Sequence, residues 1–144
     1  MAAVILVIGF VGMIEAVTIS AKMMDSARRQ TLATQIMNHE IEKLRYVPWT
    51  NGSTGINDLA AGPTPITIDS QFSTDIAASG ASYTLSRSVA TVFSGSLREV
   101  TFTVTWTVTT SRLDSGGNRL TFTYSRVNVA WFGKYGLNLS YQRS

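Results

Sequence analysis

His39 is the only histidine of the chain, and it stands in Asn38-His39-Glu40-Ile41-Glu42, which offers an imidazole and two carboxylates within a few residues. That is raw material for a metal site or a general base. On a helix, however, adjacent positions point in different directions, so His39 and its neighbours read as a solvated helix surface. Asp114 and Asn118 bracket Asp114-Ser115-Gly116-Gly117-Asn118 and bring oxygens that suit calcium. The alternating ligand spacing of an EF-hand loop is missing, so a hairpin turn is the reading here. Serines are plentiful, but a serine nucleophile needs a positioned base, and His39 on its helix is a poor one. There is no cysteine, which removes disulfides, thiolate zinc sites and cysteine nucleophiles. Trp49, Trp106 and Trp131 read as core. The expectation is a protein that is not an enzyme, with no catalytic residue, no metal and no cofactor.

What remains is the chemistry of assembly. Glu15 is the one charged residue in the apolar stretch Met1–Ala21. It reads either as a register residue that pairs with a neighbouring subunit or as an interfacial carboxylate near Lys22. Gly9 and Gly12 let neighbouring helices approach or let the helix loosen locally, or are merely tolerated there. With Val4, Ile5 and Ile8 they make up the candidate membrane and assembly surface.

The element that must position these residues is a long helix. Met1–Arg45 contains no proline, begins as a near-uniform apolar run and becomes amphipathic and charged from Lys22 on. Ala33, Met37, Ile41 and Leu44 fall at i, i+4, i+8 and i+11, one stripe suited to packing on a head domain. Pro48 stops the helix by about Tyr46. As a helix, Met1–Ile14 reaches only ~21 Å against the ~30 Å of a hydrocarbon core. A cleavable signal peptide is the competing reading, but no basic residue precedes the run and Ile19-Ser20-Ala21 is a weak cleavage site. It would leave a soluble secreted head.

After the helix (1–47) comes a β-rich head (48–144). Residues 48–82 read as a long loop of turn residues, with a short strand at Pro65–Asp69. Residues 83–132 read as an antiparallel meander of at least three strands. Val100, Phe102, Val104, Trp106 and Val108 alternate strictly with threonines, giving one buried and one threonine-covered face. In the returning strand the apolar parity switches at Ser125-Arg126, from Leu120, Phe122 and Tyr124 to Val127, Val129 and Trp131, which predicts a bulge. Residues 133–144 form a weakly alternating tail suited to an edge strand. The fold expected is α+β, a long helix packed on a small antiparallel sheet. The net charge of +3 is spread over both halves and makes no basic patch.

Ile8-Gly9-Phe10-Val11-Gly12, Glu40-Ile41-Glu42-Lys43-Leu44-Arg45 and the strand Val100–Trp106 resemble the type IV pilin and pseudopilin family, in particular its minor pilins and minor pseudopilins. The resemblance covers the helix well and the head in outline. It implies a structural subunit of a type IV pilus or related filament. Its implied partners are other pilin-like subunits, in a homo- or hetero-oligomeric filament, and the inner membrane before assembly. The implied localisation is a single-pass bacterial inner-membrane anchor, then the periplasm or an extracellular filament. A pseudopilin of a type II secretion system and a DNA- or surface-binding minor pilin are the alternatives. The latter would use the loop 49–82 or Arg87, Arg112, Arg119 and Arg126, although nothing in the charge pattern supports a nucleic-acid partner. The family's basic leader and its Phe-Thr-Leu-x-Glu start are absent before Met1. The expectation is therefore a chain that begins about six residues inside the mature protein, which would also lengthen the apolar run to ~30 Å.

Overall fold

The computed structural model describes the backbone of residues 2–50, 53–92, 95–135 and 138–143, and the side chains of Val7 and of residues 10–50, 53–92 and 95–135. Helix α1 (Ala2–Arg45) runs unbroken for 44 residues, a length of ~66 Å. It ends as Pro48 requires. The amides of Tyr46 and Val47 donate to the carbonyls of Lys43 and Leu44 at 3.3 and 3.1 Å, tightening the last turn. Lys43 and Arg45 stand in that turn, where positive charge complements the carbonyl end of the helix dipole.

The head is a single antiparallel sheet of five strands: β1 (Gly62–Ile66), β2 (Ser82–Val92), β3 (Leu97–Leu113), β4 (Arg119–Gly133) and β5 (Asn138–Arg143). Spatial order follows chain order from β1 to β5, so the sheet is a meander. A short helix, α2 (Ser73–Ser79), lies between β1 and β2. The fold is α+β.

The core lies between one face of this sheet and the second half of α1. Ala33, Met37, Ile41 and Leu44 are all buried there, and Leu32 and Ile36 widen their stripe. From the sheet come Tyr83, Leu85 and Val89 of β2, Val100, Phe102, Val104 and Trp106 of β3, and Ala130 and Phe132 of β4. The register explains the layering: Tyr83 stands opposite Trp106, and Trp106 opposite Tyr124, one row across three strands. Their rings stack with centroids 6.2 and 5.7 Å apart. The Tyr83 hydroxyl donates to the Arg29 carbonyl at 3.4 Å, tying that row to the helix.

Two expectations are corrected in the head. Residues 48–82 are not one loop, since they hold β1, α2 and 3-10 turns at Ile56–Asp58 and Ser70–Phe72. The strand there is Gly62–Ile66 rather than Pro65–Asp69. Its two prolines, Pro63 and Pro65, hide it from a pattern reading because proline gives up a ladder amide. It is tolerated at this position because β1 is an edge strand. Helix α2 carries weak formers, and it is held by packing: Phe72 and Ile76 rest against the core.

The second correction concerns β4. No bulge falls at Ser125-Arg126: the register runs unbroken from Thr109 opposite Thr121 to Leu97 opposite Gly133, and its one irregularity lies between Thr109 and Leu113. Directly opposed residues share a face. Arg126 therefore shares the core side with Val104, and Asn128 shares it with Phe102. Asn128 is buried, and its side-chain amide donates to the Asn38 side-chain oxygen of α1 at 3.2 Å. Polar residues occupy core-side positions because the helix supplies partners. Val127, Val129 and Trp131 face the other side, where β5 adds Leu139 opposite Trp131 and Tyr141 opposite Val129. The Trp131 indole donates to Glu99 at 2.9 Å.

Candidate assembly surface

The largest exposed apolar surface belongs to the first half of α1. The head's contacts begin near Arg29, whose guanidinium donates to the Ser79 carbonyl at 3.1 Å. Before that point every described helical side chain is exposed. Val7, Phe10, Val11, Met13, Ile14, Val17, Ile19, Met23 and Met24 are between 55 % and 71 % exposed. Each residue advances about 100° around a helix. Phe10, Met13, Val17 and Met24 thus share one side, Val7, Val11 and Ile14 the next, and Ile19 and Met23 the far side. The apolar surface goes round the helix except for the narrow side of Glu15 and Lys22, whereas a helix that covers a core from outside is apolar along one stripe only.

Two of the polar side chains on this segment are satisfied within the helix. The hydroxyls of Thr18 and Ser20 donate to the carbonyls of Ile14 and Ala16 at 2.8 and 2.9 Å, so they enter an apolar setting without an orphaned donor. Glu15 is exposed, and among the described residues no ion pair involves it. It lies on the same side of the helix as Lys22, seven residues on. A β-carbon at Gly12 would meet no atom within 4 Å, so this glycine answers no packing need within the chain. The side chains of Val4, Ile5 and Ile8, and Gly9 with them, lie outside the described residues.

The expected single-pass inner-membrane anchor is corrected. Among the described residues no helix is long and apolar enough to cross a membrane. The physical reason is charge spacing: Glu15, Lys22, Asp25, Arg28 and Arg29 interrupt the run beyond Ile14.

The second cluster is at His39. Its Nε2 lies 3.4 Å from Asp69 Oδ2, and Lys43 Nζ lies 3.1 Å from the same oxygen and 2.8 Å from Glu40. Phe72 stands edge-on to the imidazole at 5.5 Å, and Gln71 Nε2 reaches the ring nitrogens. The cluster fastens the turn 69–72 to α1. Among the described residues no three His, Cys, Asp or Glu side chains are grouped to hold a metal ion. The Asp69 carboxyl is held below the ordinary value of 3.8, first by the Gln71 amide and then by Lys43. Because the folded value is the lower one, this attachment is at full strength above pH 3.8 and is lost as the pH falls through the folded value. The Gln71 amide resonance should therefore shift in an acid titration of the wild type, and Asp69→Asn should remove that step.

Asp114 serves its turn. Its Oδ1 accepts from the amides of Gly116 and Asn118, both at 2.8 Å, and these bonds, with Asn118 foremost, keep its carboxyl low. The four arginines considered for a DNA-binding surface do not converge. Arg87 and Arg126 are partly buried on the helix side of the sheet, whereas Arg112 and Arg119 are exposed at the tip of the β3–β4 hairpin. Desolvation lowers the Arg87 pKa, and the charge of Glu40, itself buried on α1, raises it.

Sequence reasoning missed the contribution of Leu32 and Ile36 to the helix stripe. It also missed the exposed apolar residues Leu113, Phe122 and Tyr124 of the hairpin. Those three lie beyond the part of the sheet that α1 covers, which periodicity cannot reveal. Comparison with protein-family models, with curated proteins and with solved structures finds no match.

Proposed function

We propose that this protein is a structural subunit of a type IV pilus or related pilin-like filament, assembled by packing the first half of α1 against the same segment of neighbouring copies. One observation carries this reading: a helical segment, Val7 to Met24, that is exposed along its length, apolar on every side but the narrow one of Glu15 and Lys22, and joined to a head that already has its own core. A single partner would cover one side of such a helix. A bundle of copies covers all of them, and fully burying one Val, Ile, Phe or Met side chain is worth about 1.5–3 kcal/mol. The narrow polar side with Glu15 and Lys22 suits pairing of opposite charges between staggered copies. The mechanism is association rather than catalysis.

The test places a charge where the fold does not need the side chain. Ile14 and Val17 are more than half exposed, so Ile14→Lys and Val17→Lys should leave the thermal transition of the head unchanged. In sedimentation and electron microscopy the wild type should form elongated assemblies, and the double variant should remain monomeric. A wild type that is monomeric at all concentrations, or a double variant that assembles like it, refutes the reading.

A further inference from the structure

A groove of about 880 Å³ runs between α1 and α2 at the end of the head from which the exposed half of α1 emerges. Its walls are small and apolar on the helix side, Ala21, Met24 and Ala27, and Ala78 lies across from them. Asp25 and Asp75 also line it beside Arg28, and Arg29 reaches its wall at the Ser79 carbonyl. The groove is thus a slot of mixed character, in which small apolar side chains flank two carboxylates that join no ion pair among the described residues.

The tip of the β3–β4 hairpin is basic. Leu113 is 60 % exposed there and is flanked by Arg112 and by Arg119, its partner in the register. The one carboxylate of the tip, Asp114, already accepts two backbone amides of its own turn. From Trp106, in the row tied to Arg29, the strand continues through Leu113, a reach of ~23 Å at ~3.3 Å per residue. Leu113 is not part of the buried core of its own chain.

We propose that the hairpin tip of one copy docks in the α1–α2 groove of a second copy, with Leu113 against the alanine and methionine walls and Arg112 and Arg119 toward Asp25 and Asp75. Tip and groove are different surfaces of the same chain, so the contact is head-to-tail. Each copy then offers a free groove or a free tip to the next, which generates an open helical array unless the rotation closes it. This contact rests on the reading that copies of the chain assemble, and it states how the heads are joined once the helices are bundled.

The absence of cysteine makes the test direct. Full-length Leu113→Cys and Ala78→Cys are mixed under assembly conditions and oxidised. A disulfide-linked dimer of one copy of each should form in the mixture and be scarce in either variant alone. Arg112→Glu with Arg119→Glu should raise the protein concentration needed for assembly by about tenfold, as expected for two exposed charge pairs turned repulsive. Adding Asp25→Arg with Asp75→Arg to that chain should restore assembly. A wild type that assembles while the mixture gives no mixed dimer, or a charge reversal without effect, overturns the hairpin contact and leaves the helix bundle standing. A wild type that never assembles overturns both.

Discussion

Phe102→Ala should shift the urea midpoint of the head to a much lower concentration, with a loss of about 3–5 kcal/mol from a total that for such domains is about 5–15 kcal/mol. Phe102 is 1 % exposed and sits at the centre of β3, with Leu85 and Val89 on one side strand and Ala130 on the other. Its neighbours are fixed by strand pairing on both sides and cannot collapse into the space the ring leaves. Cavity cost then adds to the lost transfer energy. Equilibrium unfolding followed by tryptophan fluorescence reads the change, since Trp106 lies buried four residues further along the same strand. An unchanged slope with a lower midpoint is expected, because the surface exposed on unfolding hardly alters.

Met37→Ala is the companion experiment on the helix side, with an expected loss of about 2–5 kcal/mol. Met37 has no exposed surface, and its stripe packs against the sheet's central apolar face. If helix and sheet form one cooperative unit, helical circular dichroism of the packed half and tryptophan fluorescence should report a single midpoint, lowered together. Separate transitions would show that the sheet holds its core without α1. Each substitution lies outside the exposed half of the helix, so its loss of stability should be the same in the Ile14→Lys, Val17→Lys background.

The sequence carries the α+β class and the buried helix stripe in plain view, because both rest on periodicity: 3.6 for Ala33, Met37, Ile41 and Leu44, and 2 for Val100 to Val108. What it conceals has physical causes. Arg126 and Asn128 occupy core-side positions that a hydrophobic pattern assigns to apolar residues, and only the position of Asn38 on α1 makes Asn128 acceptable there. Val127, Val129 and Trp131 look inward by composition, yet the unbroken register with β3 places them on the face away from Phe102 and Val100. β1 is obscured by two prolines whose missing amides matter little on an edge. The first half of α1 was legible as an apolar run. That its apolar side chains stand exposed on more than one side of the helix needed the boundary at Arg29, where the head's cover begins.

The order of the strands sets an order in time. Neighbours in the sheet are neighbours in the chain, so strand pairing closes short loops and should be quick. The helix stripe is different, since Leu44 and Met37 share a core with Phe132 and Ala130, which lie near the other end of the chain. During synthesis α1 emerges first, and the cover of its stripe is incomplete until β4 has left the ribosome. Nascent chains halted before Arg119 should accordingly bind a hydrophobic dye strongly, and chains released after Gly133 should not do so at the head.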